Sequence, residues 1–424
     1  MALGLTRQGL EESLRQHLPP CAYQDYCLWM LRARTAPRER WMDLMGLSQM
    51  VHLFMYLLKD VARPEDWRPL LEGVVPVNIY QMYEVVSDNL AIGLARPSEA
   101  DVHHAARRRV LHAFNEAMIA RLEGQQEPAA ARLASLQADA GRLSLFEQSL
   151  NPAKHRELSA LYLEHHPHVS AAALEHAVWP CLVANIESCA ALERLSARGA
   201  VASLVRRGLI ARYQGVNALL DEPDMPFERR VRLGADTILV VPMTGWYVGV
   251  LATLHQETQI QALCEEGLLP EVLEDSALLL RLLNDLGTTL VTRPEPERRS
   301  MLQPLREAAA RRPSAPLATL LLEVGPSSPV LSRVLKDVQH GEFNVCLHGL
   351  MDTPASQALE IFESRLSEAA RLYGQHRERW QANLERLGKR LSHEAIPHII
   401  HRFVAFHEKL YTHRFSEQLG EYAV

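Results

Sequence analysis

Asn284, Thr288 and Thr292 stand four residues apart in an otherwise leucine-rich run, Leu278 to Thr292. On an α-helix that spacing places them along one face. An amide oxygen and hydroxyls so arranged suit Mg²⁺, a hard cation that takes oxygen ligands and is commonly completed by waters and substrate phosphates. The same residues can also cap or kink a helix, or bond to a neighbouring one. Glu84 and Asp88, one turn apart in the stretch Val77 to Ile92, could present a second pair of oxygens or form an exposed acidic edge. A third group is basic: Arg229, Arg230 and Arg232 precede Gly234 and an apolar segment, Thr237 to Gly249. Pro242 and Gly245 are expected to break that segment and free backbone carbonyls.

Histidines offer two further clusters. His103, His104 and His112 lie among arginines, and Glu164-His165-His166-Pro167-His168 reads as a polar loop. Grouped histidines can ligate metal, but adjacent positions on a helix point to different faces, so a solvated surface competes with that reading.

The elements that must carry these residues are helices. The chain has 424 residues, 47% of them hydrophobic and only 6% aromatic, and no convincing alternating strand run. The fold class expected is all-α, as a single domain over residues 1–424. Trp41 to Lys59 reads as a core helix, and the breaker clusters Arg312 to Pro316 and Gly325 to Pro329 read as loops. Net charge is -6, so no global field recruits nucleic acid. The six cysteines lack paired metal spacing and suit reduced thiols. With no signal-peptide pattern and no apolar run long enough to span a bilayer, a cytoplasmic protein without a membrane span is expected.

Arg281-Leu-Leu-Asn284-Asp285-Leu-Gly-Thr288 resembles the second metal motif of the class I terpene synthases, an Asn-Asp-x-x-Ser/Thr-x-x-x-Glu pattern. Thr292 stands where that family has its closing Glu. The order of features is also similar: an acidic helix with Glu84 and Asp88, an arginine helix, the Asn-Asp helix, a segment Gly341 to Ala358, and Arg414-Phe415 with Tyr411 one turn before. Ile92 and Leu233 depart from the family pattern at positions where it often has carboxylates. The resemblance implies a class I terpene synthase-like helical bundle with an inserted segment at about 293–338. Helix-packed dimers are common in that family, which extends the expectation to a homodimer.

What the resemblance further implies is Mg²⁺-dependent ionisation of a C15 or C20 prenyl diphosphate, followed by cyclisation or elimination to a hydrocarbon or alcohol. Glu84, Asp88, Asn284 and Thr288 would hold Mg²⁺. Arg230 would sense diphosphate with Gly234 as effector, and Arg281, Arg414, Phe415 and Tyr411 would complete the leaving-group site. Tyr80, Trp246, Tyr247, Phe403 and Phe406 are candidate aromatic walls for a carbocation, which is attracted to π faces. Two other classes fit the same sequence. One is a helical non-haem iron oxygenase using His and Glu from Glu164–His176 and His393–His413. The other is a non-catalytic helical scaffold, or a family member that has lost its metals.

Overall fold

A computed structural model describes residues 1–33, 36–95, 102–196, 201–222 and 224–412. The fold is all-α: every regular element among these residues is a helix, with one isolated antiparallel bridge between Pro316 and Pro354. No single described helix is long and apolar enough to cross a membrane. Cores rarely grow beyond roughly 250–300 residues without dividing. Here the described chain gathers into two compact units, one drawn from Met1–Ile92, Ala100–Arg206 and Trp246–Gln256, the other from Gly93–Glu99, Arg207–Gly245 and Glu257–Val424.

The first unit is built around the 25-residue helix Trp67–Ala91, which packs against Ala2–His17, His104–Leu122 and Val178–Ser196. Its buried side chains include Val74, Val77, Tyr80, Tyr83 and Glu84.

In the second unit the hub is Leu268–Leu286, which packs against Phe227–Asp236, Ser332–His340, Ala355–Arg390 and Ala395–Leu410. Its leucines face all round, the pattern of a helix enclosed by protein rather than lying on a surface. Only Pro270, Glu271, Glu274 and Asn284 escape full burial. Leu279, Leu282, Leu283 and Leu286 are wholly enclosed, each contributing about 1.5–3 kcal/mol by the area rule.

Two local expectations are corrected by the structure. Gly287, at φ 81° and ψ 153°, ends the hub helix, and Thr288–Thr292 starts a separate short helix. The face expected through Asn284, Thr288 and Thr292 is therefore interrupted. The segment after Asp236 breaks at Thr237–Leu239, with Leu239 at φ 58°, and not at Pro242 or Gly245, which lie inside the continuous helix Val240–Leu254. Pro242 occupies the first turn, where no intrahelical N–H partner is required. Residues 293–338 contain the helices Glu295–Met301, Gln303–Arg311 and Leu317–Val324 and most of Ser332–His340, with Leu305, Leu317, Leu320, Leu331 and Val334 fully buried. That segment is part of the second unit's core.

Candidate functional site

In the second unit, the last turn of the hub helix enters a buried ionic cluster. Asp285 is fully enclosed; one carboxylate oxygen pairs with Arg281 on the same helix and the other accepts the Val345 N–H at 2.8 Å. Arg281 also lies under the Phe343 ring, 5.6 Å from its centroid. Burial pulls its pKa down, opposed by the charges of Asp337, Tyr411 and Glu342.

Asn284 is held from outside its helix. Arg333 donates to its backbone carbonyl at 2.9 Å and to its side-chain Oδ1. The same guanidinium stacks 4.8 Å from the Tyr411 ring centroid. Thr288 donates its hydroxyl to the Glu408 carbonyl at 2.6 Å and its N–H to the Tyr411 carbonyl at 3.1 Å, while Thr292 caps back onto the Thr288 carbonyl. Gly287 is required at this junction by its positive φ, and a Cβ there would also come within 3.3 Å of the Tyr411 carbonyl.

The cluster continues through Ser332–His340. Lys336 reaches both Asp337, at 3.4 Å, and Glu342. Asn344, with no exposed surface, donates to the Asp285 carbonyl at 2.9 Å and to Asp337 at 2.7 Å, and accepts the N–H groups of Cys346 and Leu347. Burial raises the Asp337 pKa against the lowering effect of Lys336. Arg281, Arg333 and Lys336 thus face Asp285, Asp337 and Glu342, and the formal charges balance.

The arginine helix Phe227–Asp236 closes one side. Arg229 is exposed and paired with Glu222, whereas Arg230 is buried and donates to the carbonyls of Met225 at 3.0 Å and Val345 at 3.4 Å. Burial and the neighbouring Arg365 charge push its pKa down to about 10. Gly234 lets the two helices meet: a Cβ would sit 3.1 Å from the Arg281 Cδ and 3.3 Å from the Phe343 ring.

Of the residues expected from sequence, Arg230, Gly234, Arg281, Asn284, Thr288 and Tyr411 therefore lie in this one neighbourhood. Phe403 and Phe406 flank His407, at 4.6 Å and 5.2 Å between ring centroids, on Ala395–Leu410. Arg414 and Phe415 lie outside the described residues. Glu84, Asp88, Tyr80, Trp246 and Tyr247 belong to the first unit. Glu84 is buried and accepts from Asn185 at 2.7 Å, while Asp88, one turn on, is exposed. Trp246 donates to the Gly73 carbonyl and Tyr247 to Asn78, each at 2.8 Å. Both rings are anchored as core. Among the described residues no group of three or more His, Cys, Asp and Glu is arranged to hold a metal ion.

Sequence reasoning missed Arg333, Lys336 and Asp337, the partners that set the chemistry of this cluster. A signal was available: Lys336 and Asp337 follow Arg333 by three and four residues on a short amphipathic helix, on the buried side.

A second titrating group lies on the same arginine helix. Burial and the charge of Glu274 raise Asp236 to about 6. A carboxyl that binds its proton more tightly folded than unfolded lowers stability as pH rises from about 4 to 6, and the penalty persists above that window. Asp236→Asn is accordingly expected to stabilise the chain by about 1–2 kcal/mol at pH 7 and by little at pH 4. Urea denaturation of both proteins at the two pH values measures this; an equal effect at both would contradict it.

No protein-family model, curated protein or solved structure gives a match to this chain.

Proposed function

We propose that the chain is a non-catalytic helical scaffold, the metal-free variant of the class I terpene synthase-like pattern that its Asn284-Asp285 motif resembles. The observation that carries this reading is the Arg333 guanidinium on Asn284, bonded to both its side-chain and backbone oxygens. An oxygen already accepting from a guanidinium is a poor ligand for Mg²⁺, and the fixed positive charge beside it repels a divalent cation. Asp285 supports the same reading, because its oxygens are engaged by Arg281 and Val345. Breaking those contacts to admit a metal would leave a buried guanidinium without its carboxylate, which costs about 3–5 kcal/mol.

The role of the polar cluster is then structural, fixing how the arginine helix, the hub helix and Ser332–His340 meet. Calorimetric titration of the full chain with inorganic diphosphate, with and without Mg²⁺, tests the reading. Once the heat of Mg²⁺–diphosphate complexation, measured without protein, is subtracted, Mg²⁺ is expected to add no saturable binding to the chain. Saturable diphosphate binding that appears only with Mg²⁺ would overturn the proposal in favour of a metal-dependent enzyme.

A further inference from the structure

A groove of about 1030 Å³ runs in the second unit beside the long helix Ala355–Arg390, bounded also by Val291–Arg298. Five arginines line it, and they divide into two kinds. Arg293, Arg371 and Arg377 each have a carboxylate partner, respectively Glu297, Glu368 and Glu408. Arg298 and Arg365 have none within salt-bridge distance among the described residues, although the Glu295 charge acts on Arg298 and both Glu295 and Glu378 line the groove. Arg298 is only 9% exposed, and Nη1 makes its one hydrogen bond, 2.5 Å to the Arg293 carbonyl. Arg365 also uses Nη1 alone, donating to the carbonyls of Cys346 at 3.1 Å and His348 at 2.7 Å. Each guanidinium is thereby anchored by one nitrogen. Nε and Nη2, the edge that makes bidentate bonds to an oxyanion, keep no acceptor among the described residues. Ser364 and Ser367 stand on the same wall, one turn of the helix around Arg365.

We infer that Arg298 and Arg365, with Ser364 and Ser367, bind the phosphate group of a small molecule in this groove. A phosphate monoester carries about -1.5 to -2 at neutral pH and offers three acceptor oxygens for the two guanidinium edges, whereas a carboxylate offers two oxygens and a single charge. Burial lowers the pKa of both arginines, opposed at Arg298 by the Glu295 charge, so a bound dianion would offset a desolvation cost. Asn284 does not line the groove and the proposed binding needs no metal, so its test is separable from that of the scaffold reading.

Isothermal calorimetry of the full chain with inorganic phosphate, and in parallel with acetate, tests the assignment. The expected result is saturable phosphate binding that weakens with salt, is indifferent to EDTA and has no acetate counterpart. Arg298→Gln is expected to weaken it by about tenfold or more. Arg365 also ties down the 346–348 turn, so Ser367→Asp is the cleaner second variant: it adds a negative charge to the groove while leaving every arginine contact in place. It should abolish phosphate binding with the melting temperature unchanged. Absence of saturable phosphate binding, acetate binding of equal strength, or equal affinity in the wild type and both variants would overturn the inference.

Discussion

Asp285→Asn is expected to destabilise the chain by about 3–5 kcal/mol, measured by urea denaturation at pH 7. The substitution keeps the shape of the side chain and removes only its charge. Arg281, 6% exposed, would then be a buried guanidinium with its ion pair lost. Val345 would face an amide that can satisfy its N–H only by turning its NH₂ group towards Arg281. The size of the effect comes from stranding a buried charge, not from the net strength of the pair, since isolated partners suffer the full desolvation penalty while pairs roughly break even. The double variant Arg281→Met with Asp285→Asn should therefore recover a large part of the loss. A single-variant loss below about 1 kcal/mol would mean that the pair is hydrated and does not hold the helices together.

The second large effect belongs to Asn344. Asn344→Ala removes two donated and two accepted hydrogen bonds from a fully enclosed site. It leaves the Cys346 and Leu347 N–H groups and the Asp285 carbonyl without partners there. With each stranded buried group costing about 1–3 kcal/mol, a loss of about 3–4 kcal/mol is expected, allowing for partial relaxation. Asn344→Asp separates this from a packing effect. It retains the acceptor that gathers the turn but sets a carboxylate against Asp337, so its loss should be larger at pH 7 than near pH 4, where a protonated carboxyl can donate. Equal losses at both pH values would show that Asn344 acts through volume alone.

Much of the second unit is legible in the sequence because its chemistry is local. Leucines on every side of Leu268–Leu286 announce an enclosed helix, and a polar residue in such a helix must find a partner. Arg230, Gly234, Arg281, Asn284, Thr288 and Tyr411 stand out by residue type or by the family resemblance, and they share one neighbourhood. Which partner each takes cannot be read in the same way. Arg333 reaches Asn284 from 49 residues away, and its segment reads as an insertion because the family resemblance puts little between the metal helix and the next; its Pro and Gly clusters read as loop boundaries. Those breakers instead start and stop short packed helices: Pro316 is the N-cap of Leu317–Val324, and Gly325 its C-cap. Gly287 is equally visible as a residue, but only its φ of 81° turns a continuous helical face into two separate pieces. In the first unit, the carboxylate spacing of Glu84 and Asp88 is correct for one helix, yet one side chain is enclosed and the other exposed. Periodicity gives the angle between side chains; burial depends on what packs against them.

Protein cations, not metal ions, are what the scaffold reading assigns to the oxygens of the Asn284-Asp285 motif. Incubating the purified full chain with Mg²⁺ and C10, C15 and C20 prenyl diphosphates, followed by gas chromatography of the extract, tests this most directly. The expected result is no hydrocarbon or alcohol beyond the protein-free control with any of the three. A terpene product that requires both the chain and Mg²⁺, and that Asn284→Ala abolishes, would contradict it.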